Sequence, residues 1–288
     1  TLSSSSAASD VYKRQVFTYS DINFQILGEI VQRISGQSLD QYCEEHIFRP
    51  LGMKDTSFKP SPDLHHRIAP TQWDRVTRQM CQGTVHDGVA SRMGGVAGHA
   101  GLFSTADDLS IFVRMILNDG SLQDARILDP SAVEKMTLPQ SPPDRIPLRG
   151  LGWDIDGPFV SNRDELFPAG SYGHTGFTGT GIWIDPISET YVIILTSRLH
   201  PIGKGNADPL RSQILSLISG VVGPVSPEQV LAKRPSLKDY YGGDSQRKVQ
   251  TGLDVLVAKK FSPLVGLRVG LITNHSGVDS GGRRSVDP

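Results

Sequence analysis

The sequence has only two cysteines, Cys43 and Cys81, and they sit on separate segments. That excludes a disulfide framework or a cysteine metal cluster and leaves the redox compartment open. Neither charge is in excess: 29 Lys and Arg face 30 Asp and Glu, for a net charge of −1. No electrostatic case therefore exists for nucleic acid or an anionic membrane as partner. No apolar run approaches the ~18 residues of a membrane-spanning helix. No internal repeat is visible. What is present, 38% hydrophobic and 20% charged residues in 288, fits a soluble globular chain of one large domain or two smaller ones.

The beginning also lacks things. "TLSSSSAASDVYKRQ", Thr1 to Gln15, has no initiator Met, no apolar periodicity and no secretory signal. It resembles translated adapter read-through and is set aside as non-native. The native sequence then starts near Val16, already inside a domain. The chain stops at "RRSVDP" just after a strand pattern, so both ends read as cut.

The remaining sequence is well punctuated. "DINFQILGEIVQRISG" has Ile22, Ile26, Leu27, Ile30, Val31 and Ile34 at helical spacing, with Asp21 as expected cap and Gly36 as terminator. "SLDQYCEEHIFRPLGM" follows, with a capping box of Ser38 and Gln41, a stop at Pro50, and Tyr42, Cys43, His46 and Ile47 as packing residues. The Gly- and Pro-rich stretch 60–103 reads as a long functional loop. "STADDLSIFVRMILNDG" is a helix capped by Ser104 or Thr105, with Leu109, Phe112, Val113, Ile116 and Leu117 inward. "DPSAVEKMT" is a short helix with Pro130 at its first position.

"TGIWIDP" and "YVIILTS" are strands of an antiparallel hairpin. "DPLRSQILSLISG" is a helix to pack on it, with Asp208 as cap and Pro209 at its first position. The order implies an α+β fold, an antiparallel sheet flanked by helices. Residues 223–248 are polar and punctuated by Pro and Gly, and read as a linker. From about Val249 a new pattern begins. Its "LRVGLITN" fits a buried parallel strand, the first of an α/β domain.

Three stretches bear on chemistry. Tyr19-Ser20-Asp21 stands directly before a helix, where a phenol can project into a cleft; equally, it is a packing tyrosine before a cap. His174-Thr175-Gly176 opens the hairpin. It is either a tight turn or a strand edge left bare for a substrate. In the second case the backbone N–H of Phe177 is the donor that an oxyanion needs. "GGVAGHAGLFSTADDL" allows close backbone approach. His86, Asp87 and His99 lack metal-ligand spacing and read as loop supports. Nothing suggests a cofactor. Trp73, Trp153 and Trp183 read as packing residues, with Trp153 able to flank a cleft.

In their order, "YSDINFQILGEIVQRISGQSLDQYCEEHIFRPLGMKDTSF", "VHDGVASRMGGVAGHAGLFSTADDL" and "GHTGFTGTGIWIDP" resemble the serine β-lactamase-like hydrolases. That superfamily includes class C β-lactamases, D-Ala-D-Ala peptidases and esterases. The likeness covers about Val16 to Gly220. It implies that Tyr19 and Asp21 form the second motif, Asp21 replacing the commoner Asn, and that His174, Thr175 and Gly176 form the third and bind substrate. It implies an acyl-enzyme formed on the Ser of a Ser-x-x-Lys upstream of the Tyr. No such motif precedes Tyr19. The one Ser-x-x-Lys, Ser245 to Lys248, follows the third motif. The chain is therefore expected to be inactive by itself.

"TGLDVLVAKKFSPLVGLRVGLITNHSGVDSGGRRSVD" resembles the opening of exo-acting N-acetylmuramidases; Asn274 and His275 lie past the strand end, either where α/β folds place ligands or in a plain turn after the strand. The pairing implies peptidoglycan fragments as substrate, bacterial cell-wall turnover, and a periplasmic or secreted protein. A β-lactam-hydrolysing enzyme and a non-catalytic muropeptide-binding module are the alternatives.

Overall fold

The computed structural model describes residues 19–141, 148–156, 170–223 and 225–241. Two compact units divide the chain, Thr1–Arg234 and Pro235–Pro288. In the second, the described part is a 3-10 turn, Pro235–Leu237, followed by a short helix, Lys238–Tyr241. The expected strand "LRVGLITN", Asn274, His275 and the Ser245–Lys248 motif lie outside the described residues.

The first unit is α+β, as expected. Its centre is an antiparallel five-stranded sheet. In chain order these strands are β7 (Leu148–Arg149), β8 (Asp154–Asp156), β9 (Tyr172–Thr175), β10 (Thr180–Asp185) and β11 (Thr190–Leu195), and in space they run 11-10-9-8-7. The hairpin read from the sequence is β10–β11, in register from Thr180↔Leu195 to Asp185↔Thr190. Alternation puts Trp183, Val192 and Ile194 on one face. There they form a core with Leu215 of the helix α7 (Asp208–Val222), and Ile214 and Ile218 pack against it.

Three helices open the described part of the first unit. α1 (Asp21–Ser35) ends at Gly36, whose left-handed φ of 73° lets its N–H return to the Gln32 carbonyl at 2.9 Å. Its cap differs from expectation: Asp21 is the first helical residue, and Ser20 takes the cap position without a side-chain hydrogen bond. α2 (Leu39–Cys43) has the expected capping box. It continues through a π-helical turn, Glu44–Phe48, into α3 (Arg49–Leu51). Pro50 therefore does not stop it. Pro is tolerated in the first turn of a helical segment, and Gly52 provides the ending. His46 is exposed, its ring 4.4 Å from that of Tyr42, while Phe48, Leu51 and Met53 take the buried positions.

The long stretch between them is not bare loop. It carries a 3-10 turn (Pro62–Arg67), the strand pair β2 (Trp73–Asp74) and β3 (Gln79–Met80), and the helix α4 (Gly88–Arg92). Two further strands, β1 (Ser57–Phe58) and β4 (Leu102–Phe103), pair across it. α5 (Ala106–Leu117) is capped by Thr105, whose Oγ1 accepts from the Asp108 N–H at 3.3 Å. Val113, Met115 and Ile116 are its buried apolar residues, Asp108 is buried beside them in sequence, and Leu109, Phe112 and Leu117 are half-buried. β5 (Ser121–Leu122) pairs β6 (Ala125–Arg126), and α6 (Pro130–Thr137) follows.

The stretch expected as a linker holds a helix, α8 (Pro227–Lys233), with its own capping box of Ser226 and Gln229. α8 joins the first unit: Lys233 Nζ lies 2.8 Å from Glu189, and the next residue, Arg234, donates to the Gly170 carbonyl and to Thr137 Oγ1. Among the described residues no single helix is long and apolar enough to cross a membrane.

Candidate active site

The site is built where the head of α1 meets the end of β9. The approach depends on missing side chains. Gly28 of α1 lies against Gly98 of the Gly-rich stretch. A Cβ on Gly98 would stand 2.0 Å from the Phe24 carbonyl oxygen, and one on Gly28 would stand 3.3 Å from the Gly98 nitrogen. Backbone therefore packs on backbone where α1 crosses the Gly-rich stretch. The rings of Tyr19 and His174 come within 6.4 Å of each other, tilted by 35°. Tyr19 is 46% exposed. Partial burial lifts its phenol above the ordinary value; the Asp21 carboxylate adds to this and the Arg149 guanidinium opposes it. A phenol held protonated is a donor.

His174 and Thr175 end β9, paired with Ile182 and Gly181 of β10. On the other side, β8 pairs with β9 at Gly173↔Asp154 only. Beyond Gly173 the outer edge of β9 has no strand partner among the described residues. Gly176 then turns the chain: its N–H donates to the Thr180 carbonyl at 2.8 Å, and its carbonyl accepts from Gly179 at 3.0 Å. The bareness of Gly176 has a local reason that the sequence did not show. A Cβ there would meet Thr180 Oγ1 at 2.3 Å, so any larger residue would force the Thr180 hydroxyl to shift.

Phe177 sits at the tip, 69% exposed, and its N–H has no acceptor among the described residues. Two arginines hold this turn. Arg198 Nε donates to the Phe177 carbonyl at 2.6 Å, its backbone N–H donates to Thr178, and its guanidinium lies 4.2 Å from the Phe177 ring centroid. The His86 ring stacks near Phe177 at 6.0 Å. Arg211 of α7, buried, donates to the carbonyls of Gly179 at 3.0 Å and Thr180 at 3.2 Å, and Thr196 Oγ1 also donates to Gly179. These bonds hold the carbonyls on the C-terminal side of the Phe177 N–H.

Sequence reasoning missed Arg149, Asp154, Arg198 and Arg211. Arg149 and Asp154 form a tight buried ion pair across β7 and β8, where a bulge between Leu148 and Arg149 shifts the register. Arg149 Nη2 also reaches His174 Nε2 at 3.4 Å. Burial lifts the Asp154 carboxyl above its ordinary value, and the Arg149 guanidinium pulls it back. The available signal was "RGLGWD", opposite charges on either side of a Gly-punctuated turn. Trp153 packs edge-on against Tyr172 at 5.4 Å. Asp87 caps α4 through the N–H groups of Val89 and Ala90 and pairs with His99 at 3.1 Å, so both stabilise the loop. Among the described residues no cluster of three or more His, Cys, Asp or Glu could hold a metal.

An open strand edge, a glycine turn whose Phe177 N–H has no acceptor among the described residues, and a tyrosine from a helix start thus come together at one end of the antiparallel sheet. The chain matches the Beta-lactamase family across residues 8–215 and belongs to that family, one of serine hydrolases. The match begins inside the segment expected to be foreign. The chain is 35% identical over 208 residues to a protein of Salmonella schwarzengrund named "Putative D-alanyl-D-alanine carboxypeptidase", covering 66% of this chain and 48% of that one. A Salmonella gallinarum protein of the same name is 34% identical over 213 residues, covering 68% and 49%. The chain thus spans about half the length of these relatives. The octameric penicillin-binding protein homologue of Pyrococcus abyssi superposes with a TM-score of 0.50 at 21% identity, covering 72% of this chain and 43% of that one, a likeness of fold.

Proposed function

We propose that the domain is a serine hydrolase of the β-lactamase and penicillin-binding type, acting through an acyl-enzyme on peptide, amide or ester bonds derived from peptidoglycan. One observation carries this reading: Tyr19 and His174 meet, ring centroids 6.4 Å apart, where the outer edge of β9 lies open and leads to the Phe177 N–H. A substrate backbone lies along that edge. His174 and Thr175 hold its anionic or carbonyl groups, and the Phe177 N–H faces the developing oxyanion. Tyr19, with Asp21 beside it, supplies hydrogen bonding and proton transfer. The name carried by the Salmonella relatives supports a D-Ala-D-Ala terminus as the substrate class.

No Ser-x-x-Lys precedes Tyr19 in this sequence. We propose that this chain by itself binds substrate without acylating, and that acylation belongs to a chain carrying that motif ahead of Tyr19. The second reading is a muropeptide-binding module, and a full gene lacking Ser-x-x-Lys ahead of Tyr19 would favour it. The resemblance of residues 249–288 to N-acetylmuramidases extends the proposal to a two-domain protein of cell-wall turnover, periplasmic or secreted.

The test uses fluorescent penicillin and a longer chain with Ser-x-x-Lys ahead of Tyr19. Gly176→Ala lowers labelling, but by the geometry it also strains the turn against Thr180. Thr180→Ala removes the oxygen that the new Cβ meets. If substrate lies on the edge, the double variant stays slower by roughly tenfold or more. Full recovery would confine Gly176 to turn geometry and remove the edge from the mechanism. Slow loss of the label marks a peptidase, and rapid loss a drug-hydrolysing β-lactamase.

A further inference from the structure

We infer that Arg149, itself held by Asp154, is a positioning residue that fixes the imidazole of His174 as a single neutral tautomer, protonated on Nδ1. The argument is one of donors and acceptors. Arg149 Nη2 lies 3.4 Å from His174 Nε2. A guanidinium only donates, so Nε2 must accept and carries no proton. The other ring nitrogen, Nδ1, lies 2.8 Å from the Thr175 carbonyl oxygen. A carbonyl only accepts, so Nδ1 carries the proton. The two contacts, made independently, select the same tautomer. A doubly protonated ring would set N–H against N–H at Arg149.

The support beneath is buried. The side chains of Arg149 and Asp154 are 13% and 3% exposed, and the two residues face each other in the β7–β8 register beside the bulge. Bulges re-aim side chains, and here the result is a guanidinium shared between a carboxylate and an imidazole. The same guanidinium lies 5.8 Å from the Tyr19 ring centroid. The groups around His174 are thus Arg149 from β7, Asp154 from β8 and Tyr19 from the start of α1.

The positive charge at the end of β9 consequently belongs to Arg149 and not to His174. His174 is a fixed neutral group, and an anionic part of the substrate is drawn by the cation behind it. This last consequence rests on the acyl-transfer reading; the tautomer does not.

The test is a long-range proton–nitrogen correlation spectrum of the ¹⁵N-labelled chain at pH 7, with His174 assigned by comparison with His174→Gln. The expected pattern is one neutral form with the proton on Nδ1. Arg149→Met leaves Asp154 buried and unpaired, and this variant can fail to fold. Arg149→Met/Asp154→Leu therefore accompanies it, removing both charges. In the folded double variant a second form, protonated on Nε2, is expected to appear. An Nε2-protonated or doubly protonated ring in the unchanged chain would overturn the inference. So would a single Nδ1-protonated form persisting in the double variant, which would assign the tautomer to the Thr175 carbonyl alone. Loss of penicillin labelling or of substrate binding, by contrast, would fail the functional reading and leave this spectrum unchanged.

Discussion

α1 and α7 are both amphipathic helices of 15 residues, and they are held in opposite ways. α7 is held by side chains. Leu215 is buried in the core with Trp183, Val192 and Ile194, and Arg211 staples the turn that presents Phe177. α1 buries one residue, Gly28. Its apolar stripe of Ile22, Ile26, Ile30 and Ile34 is exposed, from 43% at Ile30 to 82% at Ile34. Such a stripe ordinarily faces a core, but here nothing among the described residues covers it. α1 is placed instead by the close backbone approach of Phe24 and Gly28 to Gly98, with Leu39 of α2 beside Gly28. The half of the site on β9 is therefore locked by packing, and the half carrying Tyr19 rests on two glycines.

That contrast predicts an order of effects. Leu215→Ala empties a packed position and should destabilise the chain by about 2–5 kcal/mol in urea unfolding. A smaller loss would mean that α7 is not what anchors the sheet. Gly98→Ala drives a Cβ into the Phe24 carbonyl, so α1 must move. It should cost about 1–3 kcal/mol and separate Tyr19 from His174, read as loss of nuclear Overhauser contacts between their rings. Retention of those contacts would show that the glycine pair does not position Tyr19.

Smaller effects sharpen the picture. Asp87 lies below its ordinary value of 3.8, chiefly through the Ala90 N–H it accepts, with His99 contributing. A depressed carboxylate stabilises the fold above that ordinary value, and the stabilisation is lost as pH falls through the depressed one. Asp87→Ala should therefore cost about 1 kcal/mol at pH 7, and the gap to the parent chain should shrink as pH drops below 3.8. A gap independent of pH would assign the effect to packing. Smallest of all, Ile26→Lys with Ile30→Lys should change stability by less than about 0.5 kcal/mol for each substitution while reducing the binding of a hydrophobic dye. A loss of several kcal/mol would show that the stripe is covered in solution.

What the sequence disclosed follows the same division. Local signals were legible: the β10–β11 hairpin, the Thr105 cap, the Ser38–Gln41 box and the Gly36 terminator each depend on a few neighbouring residues. The placement of Tyr19 opposite His174 was accessible only through the resemblance, because the two residues are far apart in the chain. The Arg149–Asp154 support was only faintly legible: "RGLGWD" sets opposite charges on either side of a turn, but their pairing depends on a bulge that no periodicity announces. The helix α8 was legible and was passed over: Ser226 followed by Gln229 is a capping-box signal inside a stretch read for its Pro and Gly content. For Gly176 the sequence pointed to a bare position and suggested a substrate as the reason, whereas the contact with Thr180 gives a reason within the turn.

The most direct test of the central claim is an amide-resolved NMR titration of this chain with a muropeptide ending in D-Ala-D-Ala. The account predicts saturable shifts at His174, Thr175 and Phe177 on the edge of β9, together with Tyr19 at the head of α1. No shift at millimolar peptide, or shifts clustered on the exposed face of α7 while β9 stays silent, would contradict it.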